Sequence, residues 1–333
     1  MVYTGCMDIV VGIDSLKTVQ EIKPLVDAGA GEFFCGYVPP YWSDRFGYEI
    51  SPNRRPYKGY NYDSFEDLSS AAHSVHSLGK KILLAVNEHE YPPERMSLAI
   101  RLAKETAPLN FDGIIISNPA LAFEFREAGI SAPLHISIGG LANNYEAVRF
   151  YNKRVPGIRR FILPRDVTVS EIKSMAEKAR DDGVALEAFG IGDPCSYGDG
   201  YCPVWHSSTG PTFCSWFLNG KRKLINISDS ADNAAVSDAK SEYSGLVIDS
   251  DREELLNVIV RACGLCAIHL FKEWGISAVK VPLRGGEARS ELISFVKQAM
   301  DLKLPEDCQK IIGSKNFCAG ARCYYNYPSE KNV

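Results

Sequence analysis

The sequence lacks any uninterrupted apolar run near the roughly 18 residues that cross a bilayer, and its first residues contain no basic segment followed by an apolar one. It also lacks a basic excess, because 37 Lys and Arg stand against 41 Asp and Glu, for a net charge of −4. We therefore expect a cytoplasmic protein with neither signal peptide nor membrane span. The charge favours a small-molecule substrate and makes nucleic acid a less favoured partner without excluding it.

The signatures of common hydrolases are missing as well. The sequence contains no G-x-S-x-G, the turn that presents a nucleophilic serine, and no H-E-x-x-H, the helical zinc motif of metalloproteases. Cysteine, in contrast, occurs ten times. In a reducing compartment, clustered thiols are more often metal ligands or redox groups than disulfides.

The chain repeats one unit, a short β-branched run followed by a turn and an amphipathic helix. Eight such units predict an α/β fold, a closed (β/α)₈ TIM-like barrel, with an open doubly wound sheet as the structural alternative. The predicted strands are Asp8–Ile13, Glu32–Tyr37, Lys81–Asn87, Gly113–Ser117, Leu134–Ile138, Arg160–Leu163, Ala185–Phe189 and Ala278–Leu283. The predicted helices are Ser15–Ala28, Ser64–Leu78, Pro93–Thr106, Pro119–Ala128, Asn144–Lys153, Ser170–Asp181, Glu253–Trp274 and Glu287–Leu302.

Two segments after strands are too long to be plain connections. We expect residues 1–303 to form the barrel, with a cluster-binding insertion over residues 191–252 after strand seven, and residues 304–333 to form a C-terminal tail. The other long loop, 38–63, follows strand two and is rich in aromatic and basic residues. Loops of this length usually serve as lids, binding walls or cofactor holders, so we predict a lid here or a stacking surface for a planar ligand or RNA bases.

The insertion carries three of the cysteines, Cys195, Cys202 and Cys214. Thiolates bind iron–sulfur clusters or zinc, and both normally take four ligands. The fourth is left open between Cys263 and Cys266, a C-x-x-C in the helix before strand eight, for which two buried core thiols are the alternative. We therefore predict an iron–sulfur cluster, with structural zinc or unmetallated thiols as alternatives. The tail cysteines could supply the fourth ligand or form a second site; they are Cys308, Cys318 and Cys323.

The C-terminal strand ends of such a barrel carry its chemistry, and we expect Asn87, Arg165 and Glu187 to lie there. Glu187 is the strongest catalytic candidate, because a carboxylate at the end of a buried strand is expected to be paired or catalytic. Its possible partners are Arg165, Arg284 and Lys280, of which the arginines could instead bind substrate carboxylates bidentately. An internal ion-pair network is the alternative reading. His135 is a further candidate, although a lone histidine in an apolar strand is more often a hydrogen-bonded core residue.

Several motifs resemble the U32 peptidase-like family, a group first described as collagenase-like proteases that includes oxygen-independent hydroxylases. The likeness spans most of the chain and is carried by EFFCGY, AVNEHE, LHISIGGLANNYEAVRFY, RRFILPRDVTVSEI and LEAFGIGDPCSYGDGYC. Strand eight reads KVPLR where the family has Lys-Ile-Glu-Gly-Arg, strand five continues into Gly139 and Gly140, and the CAGARCYY tail lies outside the family pattern.

The resemblance implies a barrel that binds a 4Fe–4S cluster through four cysteines. Cys195 and Cys202 match family ligand positions and Cys214 is similar to a third, while the fourth stays open between Cys263 and Cys266. The resemblance also implies the activity of several family members, which is hydroxylation without dioxygen and with prephenate as the oxygen donor. Substrates in those branches include a ubiquinone precursor and bases in transfer or ribosomal RNA.

The favoured function is therefore that of an iron–sulfur-dependent oxidoreductase, which hydroxylates a small or quinone-like molecule without dioxygen. An RNA base hydroxylase and a U32-type peptidase are alternatives. A third alternative is a non-catalytic, cluster-holding subunit that docks on a related barrel, because hydroxylases of this family can work as unlike pairs.

Overall fold

A computed structural model describes residues 7–48, 50–55, 59–192, 199–201, 262–282, 289–303, 307–312 and 324–325. Within these residues, eight parallel strands form a closed barrel in sequence order. The first and last strands pair, with Val10 opposite Lys280. The closed barrel is thereby confirmed, and the open doubly wound alternative is wrong.

Every predicted strand corresponds to an observed one. The strands are β1 (Asp8–Gly12), β2 (Glu32–Gly36), β3 (Lys81–Val86), β4 (Gly113–Ile116), β5 (Leu134–Ile136), β6 (Ile158–Ile162), β7 (Ala185–Phe189) and β8 (Ala278–Val281). Except for β7, each ends one or two residues earlier than predicted. The polar residues Asn87, Ser117 and Ser137 therefore directly follow their strands, at the barrel mouth.

The helices of the described residues form the outer layer. They are α1 (Val19–Ala28), α2 (Pro40–Phe46), α3 (Phe65–Ser77), α4 (Pro93–Thr106), α5 (Pro119–Glu127), α6 (Tyr145–Arg154), α7 (Val169–Asp181), α8 (Leu265–Trp274), α9 (Arg289–Ala299) and α10 (Cys308–Ile312). Helices α1 and α7 begin with capping boxes, Thr18 with Glu21 and Thr168 with Glu171. In each box the threonine and glutamate side chains accept from backbone N–H groups that have no partner within the helix. None of the helices in the described ranges has the length and hydropathy needed to span a bilayer.

The predicted helix Glu253–Trp274 is wrong at its described N-terminal part, because α8 begins only at Leu265. Cys263 instead forms an antiparallel bridge with Ile191, and the Gly264 N–H donates to the Gly190 carbonyl at 2.8 Å. The C-x-x-C is consequently not within one helix, since only Cys266 lies in the first turn of α8. Residues 253–261 lie outside the described ranges.

The core has two layers because parallel strands are buried on both faces. The outer layer packs the strands against the helices, and its largest fully buried side chains include Trp42, Phe125 and Phe271. The inner layer fills the barrel and contains Val10, Phe34, Leu83, Ile115, Ile162, Phe189 and Ala278. Described parts of the tail also contact the barrel, since α10 lies against α9 and Tyr325 is bonded to Phe189. The division between residues 303 and 304 stays a prediction.

Candidate functional site

Four charged side chains lie buried inside the barrel. Arg160 donates to both carboxylate oxygens of Glu32, at 2.5 and 3.1 Å, and to Oε2 of Glu187 at 3.1 Å. Lys280 donates to the other oxygen of Glu187 at 2.9 Å. Two anions thus face two cations, and every carboxylate oxygen is hydrogen-bonded, which is the arrangement that makes buried charge tolerable.

The two carboxyl groups have shifted acidities of opposite sign. Burial would raise the pKa of Glu187, but Lys280 and Arg160 outweigh it and hold that pKa below its ordinary value. Burial raises the pKa of Glu32, and Arg160 offsets this only in part. Glu187 is therefore the more firmly ionised member of the cluster.

His135 lies beside these carboxylates and is buried, with no hydrogen-bond partner for its Nδ1 atom among the described residues. Burial, together with the positive charges of Arg160 and Lys280, lowers its pKa well below the ordinary value, so the ring is neutral at pH 7. The ligand atoms of Glu32, His135 and Glu187 lie within 4.8 Å of one another, a spacing that suits a metal ion. A divalent cation would nevertheless face Arg160 and Lys280 across the same carboxylates, and this repulsion argues against a metal there.

This geometry corrects the expected position of Glu187. The residue is the third of five in β7, paired inside the barrel rather than exposed at the mouth. Its expected partner Lys280 is present, Arg165 is engaged elsewhere, and Arg284 lies outside the described residues. A second partner, Arg160, was missed. The sequence does contain a signal for Arg160. Successive side chains on a strand point to opposite faces, so one of the adjacent residues Arg159 and Arg160 had to point into the barrel. The catalytic roles of Glu187 and His135 stay predictions.

The mouth carries a polar cluster above β3, β4 and β5. The Asn87 amide donates to the Ser137 hydroxyl at 3.1 Å and accepts from the Arg54 backbone N–H at 3.3 Å. The Ser117 hydroxyl donates to the Asn87 carbonyl at 2.8 Å. Asn87, which is half-buried, is thus held by its neighbours in one orientation, while Ser137 and Ser117 are buried beside it.

Gly139 explains one departure from the family pattern. A Cβ atom at this position would lie 2.4 Å from Nε2 of His89 and 2.6 Å from the Ser117 hydroxyl, closer than real Cβ contacts. The missing side chain therefore allows His89 to approach the polar cluster. The side chain of Asn118 fixes the same loop by donating to the His89 carbonyl at 2.9 Å.

The opposite side of the mouth is aromatic and basic. The guanidinium carbon of Arg165 lies 4.9 Å from the centre of the Phe189 ring, and its Nη2 lies 3.2 Å from Oδ1 of Asp199. Tyr324 packs on the other side of this region, with its ring centre 5.9 Å from that of Phe189. The structure thus places Arg165 at the mouth, as predicted, and gives it a fixed position.

The described part of the loop after β2 contacts neighbouring segments at the mouth. The Arg55 guanidinium donates to the Pro282 carbonyl after β8 at 3.3 Å, while the Tyr91 hydroxyl after β3 donates to the Pro52 carbonyl at 2.7 Å. Arg54 lies 3.6 Å from the buried Glu88 carboxylate. The loop therefore contacts the segments after β3 and β8, which flank β1 and β2 in the barrel, and such contacts are compatible with a lid over this part of the mouth.

Of the predicted cluster ligands, Cys195, Cys202 and Cys214 lie outside the described residues. Cys263 and Cys266 are described, with 8% and 7% of their surfaces exposed. They lie behind the end of β7, because Cys263 is bridged to Ile191. Both belong to the outer core, between strands and helices, which is also where the alternative of two core thiols would place them. Together with thiols from the insertion that starts beside them, they would make a donor set that fits a thiolate-bound cluster or zinc.

Comparison with known proteins decides the family. The sequence profile of peptidase family U32 matches residues 17–310. The chain belongs to peptidase family U32. This U32 chain is 29% identical over 142 residues to tRNA hydroxylation protein P of Escherichia coli (strain K12), an alignment that covers 43% of the chain and 30% of that relative. The protein of the same name from Haemophilus influenzae is 29% identical over 128 residues, covering 38% of the chain and 27% of the relative. The alignments thus span less than a third of these curated relatives.

Solved structures are also similar to the U32 chain. A U32 peptidase is 13% identical with a TM-score of 0.45, covering 85% of this chain and 95% of the other. A phosphoribosylanthranilate isomerase from Thermotoga maritima is 12% identical with a TM-score of 0.40, covering 88% of this chain and all of the other.

Proposed function

We propose that this chain is an iron–sulfur-dependent hydroxylase, which acts without dioxygen on a small or quinone-like molecule bound at the barrel mouth. The observation that carries the proposal is the buried pair Cys263 and Cys266 beside the end of β7, from which the chain leads towards Cys195 and Cys202. The curated U32 relatives, which are named for hydroxylation, support this class of reaction.

Four thiolates would hold a 4Fe–4S cluster, three from Cys195, Cys202 and Cys214 and the fourth from Cys266 or Cys263. When bound, the cluster would supply redox or Lewis-acid chemistry at the mouth. Zinc remains the alternative occupant, because it takes the same donors.

The chain's own groups would bind and orient the substrate. The fixed amide of Asn87 and the hydroxyls of Ser117 and Ser137 offer hydrogen bonds to a hydroxyl or carbonyl group. Arg165 would bind a carboxylate, such as one of the two on prephenate, because its planar guanidinium suits bidentate pairing. The Phe189 ring beneath it would cover the apolar part of the ligand and exclude water.

Anaerobic purification with iron, sulfide and zinc analysis and a visible spectrum tests the cofactor. We expect Cys195→Ala and Cys202→Ala to lose iron, sulfide and turnover together. Cys35→Ala is the matched control, since it removes a buried thiol from β2 and should leave the cluster in place. Zinc without sulfide would favour the zinc alternative. Peptide cleavage that survives both variants would favour the peptidase.

An RNA base is the second candidate substrate, favoured by the curated relatives named for tRNA hydroxylation. Mass spectrometry of nucleosides from cells with and without the gene distinguishes the two, because only an RNA hydroxylase changes a modified nucleoside. A cluster-holding partner subunit predicts a third result: the purified chain would keep its iron, show no turnover alone, and gain it on mixing with a related barrel.

A further inference from the structure

The hydroxyl of Tyr325, in the C-terminal tail, bonds both backbone groups of the last residue in β7. It donates to the Phe189 carbonyl at 2.7 Å and accepts from the Phe189 N–H at 3.0 Å. The last pair between β6 and β7 joins Ile162 to Glu187, so Phe189 lies two residues beyond the end of that ladder. One side-chain hydroxyl thus replaces a strand partner for two buried backbone groups, which would be costly to leave unpaired.

The two tail tyrosines pack against the end of β7 and against both core layers. Tyr324 contacts the inner cluster beside Phe189 and also the outer core. Tyr325 belongs to the outer core, where its ring meets that of Phe271 edge-on, with centres 5.1 Å apart. Since the tail contacts both layers at this point, its position is fixed relative to the end of β7.

The same contacts hold the segment that carries Cys263. The Tyr324 N–H donates to the Cys263 carbonyl at 2.9 Å, and the Gly264 N–H donates to the Gly190 carbonyl at 2.8 Å. Gly264 provides the room for this packing, because a Cβ there would lie 2.7 Å from the Tyr325 ring. The Cys263 segment is therefore enclosed between the end of β7 and the tail.

We propose that Tyr325 is a positioning residue for the cluster site, which holds the turn from Cys263 to Cys266 against the end of β7. The proposal rests on the proposed function in so far as these thiols bind a cluster. It assigns a role to a tail segment outside the family pattern: retention of the cluster depends on the docked tail.

The test compares Tyr325→Phe with Tyr62→Phe in the full chain, each purified anaerobically. Tyr62 is the matched control because its buried hydroxyl also donates to a backbone carbonyl, that of Leu16 at 2.6 Å, but beside β2. We expect Tyr325→Phe to lose iron to a chelator about tenfold faster than wild type, as the loss of one or two buried hydrogen bonds implies. The control should lose thermal stability and keep the wild-type rate of iron loss.

A second variant and a second measurement separate the tail from the cofactor. Gly264→Ala should reproduce the faster iron loss, because its Cβ would lie 2.7 Å from the Tyr325 ring and 3.1 Å from the Gly190 carbonyl oxygen, so that the contact between the tail and the turn must loosen. The backbone of Gly264, at φ −126°, admits alanine. In metal-free protein, mass spectrometry follows alkylation of Cys263 and Cys266 by iodoacetamide, with the buried Cys35 as the reference for global unfolding. Both variants should speed alkylation of the pair about tenfold relative to Cys35.

The outcomes distinguish the two proposals. A wild-type chain without iron would overturn the proposed function, and the alkylation rates would still decide the role of the tail. Iron loss and alkylation unchanged in both variants, with only lower thermal stability, would show that Tyr325 is an ordinary core residue.

Discussion

The centre of the barrel and its mouth both contain polar groups, but they differ in how those groups are satisfied. In the centre, the carboxylate oxygens of Glu32 and Glu187 all accept hydrogen bonds from Arg160 or Lys280, and the side chains are buried. At the mouth, Asn87 is only half-buried and is held by neutral partners.

This difference separates stability from chemistry. A closed set of balanced charges has no oxygen left to exchange for a ligand, and removing one member leaves a buried charge unpaired. The fixed amide of Asn87, which lies near solvent, can form a further hydrogen bond to a ligand while it keeps those to its protein partners. We therefore expect changes in the centre to affect folding and changes at the mouth to affect turnover.

Arg160→Met should produce the largest effect. It removes the cation between two buried carboxylates, and we expect the free energy of unfolding to fall by about 3–5 kcal/mol, as for other broken buried ion pairs. Denaturant titration measures the loss. The control Arg45→Met removes an exposed arginine that lies 2.8 Å from Glu94 and should cost less than about 1 kcal/mol. Equal losses for the two variants would remove the distinction between centre and surface.

Asn87→Ala should have the next largest effect, and mainly on turnover. Losing a positioned hydrogen-bond donor at the site should slow product formation about 100-fold, equivalent to about 2.7 kcal/mol, while unfolding changes by only about 1 kcal/mol. Hydroxylated product in cells carrying each variant is the measurement. Asn144→Ala is the control, because it removes the cap of α6 at a similar cost in stability. If the two variants form product equally well, Asn87 does not act on the substrate.

His135 gives the smallest effect, a dependence of stability on pH. Its native pKa is well below the ordinary value, so only the unfolded chain takes up the proton as pH falls below about 6.5. The free energy of unfolding should then decrease with falling pH, by up to about 1.4 kcal/mol per unit. His135→Gln should lack this slope. Glu32, whose raised pKa has the opposite effect on stability, contributes to the curves of both proteins, so the difference between the curves reports His135. Identical curves would show that His135 takes up its proton at the same pH in the native and unfolded states.

Most of the fold was predictable because its determinants are local. Alternating β-branched runs and amphipathic helices place all eight strands, and the preference for right-handed parallel connections leaves a barrel or an open doubly wound sheet. The pairing of β1 with β8 decides for the barrel. The mouth positions of Asn87 and Arg165 follow from the same rule. Helix α2 was missed, because within a long loop of aromatic and basic residues only Pro39 and Pro40 mark its start.

The pairing inside the barrel was less predictable because it depends on register between strands distant in sequence. Arg160 meets Glu32 across 128 positions of the chain, and no local pattern encodes that contact. The predicted start of α8 was wrong for a similar reason. The residues before Leu265 continue a helical sequence pattern, but Cys263 forms a bridge with Ile191 instead of a helical turn.

That bridge also determines how the insertion is attached. The Gly192 N–H donates to the Ala262 carbonyl at 2.9 Å. The two residues that border segment 193–261 are therefore hydrogen-bonded to each other. Because the entropy cost of closing a loop grows only logarithmically with its length, doubling the length of such a segment lowers the free energy of unfolding by only about 0.6 kcal/mol. Homologous chains can therefore vary in length here while the barrel keeps its strand register, which makes this point of the chain tolerant of evolutionary insertion and deletion.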